Sequence, residues 1–396
     1  MPGKYFALFA YNFSYYMTVG LAVFISKFYG EVGLTNSEIG FLVSIPNIVA
    51  LFLMPKMGQL SDRVGKKRHL LALWLVFAAI SCFLTAISSQ FFALLFTATG
   101  YIIFSTTSQP LASTIGLEYC ASIRKPYGLV RLMGTVGYQF GMLIVSIVLA
   151  SNLRNLYPII GIMLLLSGSI TFSLPNVKGH QHTPERIPMR VLFADRHVLI
   201  LYCVIFFCAI TVQFYVSFYA HYMGTLGMSN SIVSWISLLI VIPEIPFLYF
   251  GDRLFQKTSV WNWLIVGMVL TGIRWLGLSF SRNPVLILMF QLPAVASFGC
   301  FEFIPALYLN RRIPKEMLGS AQNMLILVSF GVGRIIGGLL GGYICEFFSI
   351  SFVFAMNGSM LILGALLLWK PSRRFIYTEA AQAQVRVNGT QESIAQ

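Results

Sequence analysis

Long apolar runs alternate with short polar stretches along the whole chain. Their length fits a membrane-spanning helix, which needs about 20 residues. The pattern predicts helices over 5–27, 38–57, 69–88, 91–117, 127–150 and 156–175. A polar stretch at 176–196 follows, then helices over 198–222, 232–251, 260–280, 284–309, 317–343 and 350–369. The expected fold is therefore an all-α membrane protein with twelve transmembrane helices. They form two six-helix halves, 1–175 and 197–370, joined by a cytoplasmic linker at 176–196. A polar tail, 371–396, is expected to be cytoplasmic and disordered. The first apolar run is too long for a cleaved leader and is expected to remain as helix one.

Composition agrees with this pattern. The 396 residues are 57% hydrophobic and only 10% charged, with a mean hydropathy of +0.78. A water-soluble domain carries about 25% charged residues, so the partner this surface demands is a lipid bilayer. The formal net charge of +14 is explained by topology rather than nucleic-acid binding. With the N-terminus inside, 21 of the 27 Lys and Arg residues fall on the cytoplasmic side and 3 in outer loops. Basic residues concentrate on the cytoplasmic side of membrane proteins. The expectation is a multi-pass protein of the cell membrane with both termini cytoplasmic.

The two halves share a signature. Gly58-Gln-Leu-Ser-Asp62-Arg63-Val-Gly65-Lys-Lys-Arg68 follows helix two. Gly251-Asp252-Arg253-Leu-Phe-Gln-Lys257 follows helix eight. Both place Asp-Arg after a glycine at a helix end. Related halves imply a pseudo-two-fold axis with a site near the bilayer midplane between them. Helices five and eleven, which correspond in this scheme, are both rich in glycine, as at Gly134, Gly137, Gly141 and Gly337, Gly338, Gly341. Small residues at such spacing let helix backbones approach closely.

Charges inside apolar spans are costly and point to function. The candidates are Arg131 in helix five, Glu244 in helix eight, Arg274 in helix nine, Glu302 in helix ten and Arg334 in helix eleven. Glu118, at the inner end of helix four, is weaker and is equally well read as an interfacial carboxylate near Arg124. A carboxylate in apolar surroundings favours its neutral form, so Glu302, with Arg274 and Arg334 as counter-charges, is the candidate for proton coupling. Glu244 and Arg131 are candidates for substrate binding. Asn12, Tyr15, Tyr16, Gln109, Gln139, Gln213, Tyr215 and Asn323 are polar positions able to line a cavity.

The loop at 58–68 resembles the one between helices two and three of the major facilitator superfamily of secondary transporters. That resemblance implies that Gly58, Asp62, Arg63 and Gly65, with Asp252 and Arg253, control conformational switching. Tyr127-Gly-Leu-Val-Arg131-Leu-Met-Gly134, Thr271-Gly-Ile-Arg274 and Phe301-Glu302-Phe-Ile-Pro305 resemble the lactose-permease and phenylpropionate-permease branch. In that branch the helix-ten acid carries the coupling proton, and the helix-eight acid serves substrate and proton. Here the position three before Glu302 is Gly299 rather than histidine, Ser113 stands where a sugar-binding acid is expected, and helix seven offers Gln213 but no acid. Lactose is therefore disfavoured.

The leading expectation is proton-coupled symport of a small organic solute (sugar, nucleoside or aromatic acid) by a monomer, powered by the proton gradient with no cofactor. Proton-antiport efflux is the alternative among transporters. Gly134-Thr-Val-Gly137-Tyr-Gln-Phe-Gly141 lacks the proline of the drug-antiporter signature. A membrane sensor or scaffold would require a larger soluble domain than the linker and tail provide. No catalytic triad, nucleotide loop or metal-ligand cluster is present, which excludes the common enzyme classes. The cysteines at 82, 120, 203, 208, 300 and 345 show no C-x-x-C spacing and read as packing residues. The topology predicts that a cysteine at position 30 is labelled from outside intact cells. One at 180 is labelled only after permeabilisation, and the reverse pattern refutes the orientation.

Overall fold

The computed structural model describes residues 2–63, 67–175, 195–243, 259–313 and 315–370. Gly65, Glu244, Asp252 and Arg253 lie outside the described residues, as do 176–194, the tail and the side chains of Asp62 and Arg63. Among the described residues the regular structure is helical. The helices are α1 (Pro2–Ala22), α2 (Ile25–Glu31), α3 (Asn36–Arg63), α4 (Lys67–Ala86), α5 (Phe91–Ser122), α6 (Tyr127–Ile147) and α7 (Leu156–Thr171). They continue with α8 (Arg196–Thr225), α9 (Asn230–Leu239), α10 (Val260–Phe280), α11 (Pro284–Arg312), α12 (315–347) and α13 (Ile350–Lys370). Nine are long and apolar enough to cross a membrane, and the bent pair of α1 and α2 makes a tenth; α7 and α9 are shorter. Phe92, Phe96, Phe280 and Leu367 are each at least 78% exposed. Large apolar side chains left outward in this number mark a surface solvated by lipid.

Several helices differ from the expected runs for local reasons. The first is broken, with α1 and α2 bent by 41°. At the break Phe24 N–H bonds the Leu21 carbonyl three residues back, and the Phe24 ring is fully buried. Helix α5 continues past 117 to Ser122, and Arg124, two residues beyond it, has a left-handed φ of 53°. Helix α11 is interrupted before Ala294 and then widens to a π turn at Gly299–Phe303. Pro293 and Pro305 flank that turn. Proline lacks the N–H that continues the ladder, and a π turn is one way to absorb the defect. A second π turn, Leu327–Val332, interrupts α12.

The chain divides into two compact units. The first comprises Met1–Arg186, Gln213–Leu238 and Arg334–Ser349; the second comprises Ile187–Val212, Leu239–Gly333 and Ile350–Gln396. In the first unit α1 crosses α6 at glycines. A Cβ on Gly137 would lie 2.1 Å from the Phe13 carbonyl oxygen, and one on Gly141 would lie 2.3 Å from that of Met17. The same kind of contact recurs between α8 and α12. A Cβ on Gly341 would meet Phe214 in the first unit, and one on Gly333 would meet Ala209 in the second.

A second pair of crossings also lies within the first unit. Gly40 of α3 rests against Gly338 and Gly342 of α12, beside a bond from Asn36 Nδ2 to the Cys345 carbonyl at 3.1 Å. Asn230 Nδ2 of α9 donates to the Leu149 carbonyl after α6 at 2.6 Å, and Ser231 Oγ donates to the Ser146 carbonyl at 2.6 Å. In the second unit the Gly272 carbonyl of α10 would lie 2.7 Å from a Cβ on Gly358 of α13.

The polar ends are tied by ion pairs. Buried Lys67 meets Glu118 at 3.5 Å, so the partner of Glu118 is this lysine rather than the expected Arg124. Asp195 accepts from Arg312 Nε at 2.6 Å and from its second nitrogen at 3.1 Å. Partial burial opposes the Asp195 charge, but the Arg312 hydrogen bonds and charge outweigh it and hold the carboxyl below its usual pKa. The six cysteines are free, and five of them are buried.

Two consequences are measurable. A Cβ at position 30 would fall 2.3 Å from the His221 ring, so exposed Ser151 is the better position at which to test the expected outer location. Gly137→Ala forces a methyl group into the Phe13 carbonyl and is expected to destabilise the protein by about 3 kcal/mol or more, the upper end of overpacking costs. Gly128→Ala, where nothing lies within 4 Å, should leave the melting temperature in detergent unchanged. Equal effects of the two substitutions would refute the close crossing.

Candidate functional site

A cavity of about 230 Å³ opens within the first unit. Its apolar wall includes Val19 from the end of α1, Val23 from the break after it, Leu42 and Val43 from α3, and Ile102 from α5. Tyr15, Tyr29, Tyr101 and Tyr157 present rings to it. Two of their hydroxyls bond to one another, Tyr29 to Tyr157 at 2.7 Å, and Tyr15 donates to the Ser105 carbonyl at 2.7 Å. Asn47 Nδ2 is likewise tied to the Val43 carbonyl of its own helix at 2.6 Å. The ring faces are thus available while much of the polar capacity is already used.

Three polar groups of the wall are different. The Oγ atoms of Ser26 and Ser217 and the Nε of Arg334 are buried without a hydrogen-bond partner, and all three residues line the cavity. Buried polar atoms are seldom left unpaired. None of the described residues lining the cavity is acidic. A guanidinium within an apolar span costs about 2.5–3.5 kcal/mol on insertion scales.

The structure brings some expected residues together here. Gln109 and Arg334 line the cavity. Gln109 Nε2 donates to the Tyr16 hydroxyl at 2.7 Å, and the Arg131 guanidinium lies over the Tyr16 ring at 4.5 Å. Arg131 therefore joins the site through Tyr16, in a cation–π contact. The others stand apart from the lining. Asn12 Nδ2 is buried and bonds the Leu8 carbonyl of its own helix at 2.9 Å. Gln139 has a buried Oε1 with no partner. Gln213 is 4% exposed.

A second polar cluster lies in the second unit. Arg274 of α10 is buried. Its Nε donates to Gln291 Oε1, and a terminal nitrogen donates to Ser297 Oγ at 3.0 Å. Ser297 in turn shares a hydrogen bond of 2.9 Å with Thr271. Both acceptors come from α11, just before its π turn. Glu302 lies in that turn and is half-buried. π turns concentrate at functional positions because they rotate the following side chains out of the regular register.

Residues 5–356 match the model of the MFS_1 like family. The chain belongs to that family. It is 27% identical over 371 residues to the uncharacterized transporter YwbF of Bacillus subtilis, covering 91% of this chain and 90% of that protein. It is 23% identical to the maltose permease of Geobacillus stearothermophilus, covering 87% and 88%. The solved structure of the nucleoside transporter NupG superposes with a TM-score of 0.81 at 17% identity, covering 93% of this chain and 99% of that one. The MFS_1-like chain is a multi-pass membrane transporter of the major facilitator type and not an enzyme.

Sequence reasoning missed Gln291 and Ser297, and it missed Asn47, Ser26 and Ser217. The available signal was a lone polar residue in an apolar run: Gln291 is the one amide in 284–300. Removing it leaves a buried guanidinium short of an acceptor. Gln291→Leu is expected to destabilise the protein by about 1.5–3 kcal/mol, as for hydrogen bonds to charged groups. The thermal midpoint in detergent checks this, and an unchanged midpoint would show that Arg274 does not depend on Gln291.

Proposed function

We propose that this transporter is a proton-coupled symporter of a small organic solute, working by alternating access. The observation that carries the reading is Glu302, an acid within an apolar span at a π turn. An ionised carboxylate there costs about 2.5–3.5 kcal/mol, and protonation removes the cost. Such a group holds a proton in one transport state and releases it in another when a cation nears. Arg274, in the same unit, and Arg334 are the proposed counter-charges.

The solute class is a sugar, nucleoside or aromatic acid. Relatives named for maltose and for nucleosides support this range, as does a cavity walled by tyrosine rings. Gln109, Arg334 and Arg131 contribute from the first unit, with Glu244 as a further proposed contact and Asn12, Gln139 and Gln213 in supporting positions. Gly58, Asp62, Arg63, Gly65, Asp252 and Arg253 govern switching in this reading. The proposed assembly is a monomer in the cell membrane, with twelve spans in two halves and both termini cytoplasmic. No cofactor takes part, and the proton gradient supplies the energy. The recurring crossings of α1 on α6 and α8 on α12, and of α3 on α12 and α6 on α9, support the doubled arrangement.

Glu302→Gln mimics the protonated form. It is expected to keep substrate binding and exchange but to lose uphill accumulation driven by an inward proton gradient. Counterflow and gradient-driven uptake in proteoliposomes separate the two. Wild-type accumulation by Glu302→Gln would move the proton site elsewhere, with Glu244 as the first alternative.

A further inference from the structure

We infer that the solute is a small organic anion, a monocarboxylate with an apolar or aromatic body, held through Arg334, Ser26 and Ser217. The inference rests on the transporter reading and narrows its solute class. The cavity is about 230 Å³, below the roughly 300–1,000 Å³ of typical small-molecule pockets. That size disfavours a disaccharide. Its wall is mostly aliphatic or aromatic, and the hydroxyls of Tyr15, Tyr29 and Tyr157 are engaged within the protein. A sugar or nucleoside presents many hydroxyls that need partners, and a buried polar group without one is unfavourable. The wall supplies few such partners.

The unsatisfied groups match a carboxylate instead. Arg334 Nε and the two serine hydroxyls are buried and lack partners. The serines are 5% and 3% exposed. All three can donate, and a carboxylate offers two acceptor oxygens. Charge points the same way, because no acidic residue is among the described cavity lining. An arriving carboxylate neutralises the guanidinium with charge-assisted hydrogen bonds. The body of the anion lies against the tyrosine faces and valines. Binding thereby removes a cation from the apolar span, which favours closure over the loaded site, since a ligand shifts a conformational equilibrium only by preferring one state.

The test compares acids with their amides, which keep the shape and lose the charge. Purified full-length protein in detergent is titrated with phenylacetate, hexanoate, phenylacetamide, hexanamide, uridine and maltose, with thermal stabilisation as the readout. At least one carboxylate is expected to bind more tightly than its own amide by about tenfold or more. Arg334→Gln should erase that preference, and Arg334→Lys should retain part of it. Ser217→Ala, a milder change that serves if Arg334→Gln does not fold, should weaken the acid by about tenfold. Equal binding of acid and amide, binding only by uridine or maltose, or no binding by either carboxylate overturns the inference. Proteoliposome uptake separates it from the wider reading. Uptake of a neutral solute that Arg334→Gln leaves unchanged overturns the anion site and keeps the transporter. The expected acid preference without uptake under any gradient keeps the site and overturns symport.

Discussion

The cost of an ionised side chain in hydrocarbon governs this molecule. At about 2.5–3.5 kcal/mol or more per charge, a spanning chain discards charges wherever nothing requires them. Only 10% of the residues are charged. Many of the basic ones that remain sit near helix ends or between the apolar runs, the placement that biases orientation in membrane proteins. Those within spans are held in visible ways: Arg274 by Gln291 and Ser297, Arg131 by the Tyr16 ring. Arg334 differs, since its Nε has no partner and the cavity lining around it carries no described acid. The same cost that makes charge rare makes this exception informative.

Packing follows a related logic. Lipid offers no hydrophobic gain for bringing two apolar helices together, so association relies on close contact. The glycines of α6 and α12 supply it. Gly137 and Gly141 bring α6 onto the α1 backbone, and Gly338 and Gly342 bring α12 onto α3 near Gly40. Side-chain amides then bond exposed carbonyls at the helix ends, as Asn36 does with Cys345 and Asn230 with Leu149. Such joints depend on backbone approach more than on side-chain interlocking.

Much of the helical pattern was legible because apolar runs of spanning length are hard to mistake. The charged positions within them were legible for the same reason, and Gln109 and Arg334 do share a cavity. What the runs hide is local. The break at Phe24 leaves no mark in a hydropathy pattern, since the residues on both sides stay apolar. Neither does the π turn at Gly299–Phe303, although Pro293 and Pro305 announce a defect nearby. Partner choice is equally hidden. Glu118 has Arg124 and Lys125 a few residues further on in sequence, and helix packing rather than sequence distance gives it Lys67. Ser26 and Ser217 escaped because serine in a span is commonly absorbed by its own helix, as Thr106 and Ser108 of α5 are. Only coordinates reveal which hydroxyls are not.

The position of Arg334 along its helix adds a last constraint. Among the described residues two long helices pass from one compact unit to the other well inside their length, α8 between Val212 and Gln213 and α12 between Gly333 and Arg334, while α9 crosses only at its last residue, Leu239. The π turn Leu327–Val332 immediately precedes the second crossing. A helix that belongs to two bodies must absorb any difference between their arrangements, and a π turn with its weakened ladder is a place where a helix gives. A cation just beyond such a turn reports on the site in one unit while its backbone is continuous with the other. Coupling between sites requires an element whose state both sites bias. In α12 the charge proposed to meet the solute and the π turn lie within two residues of each other. That proximity gives a chain with few internal charges a short physical route from ligand to conformation.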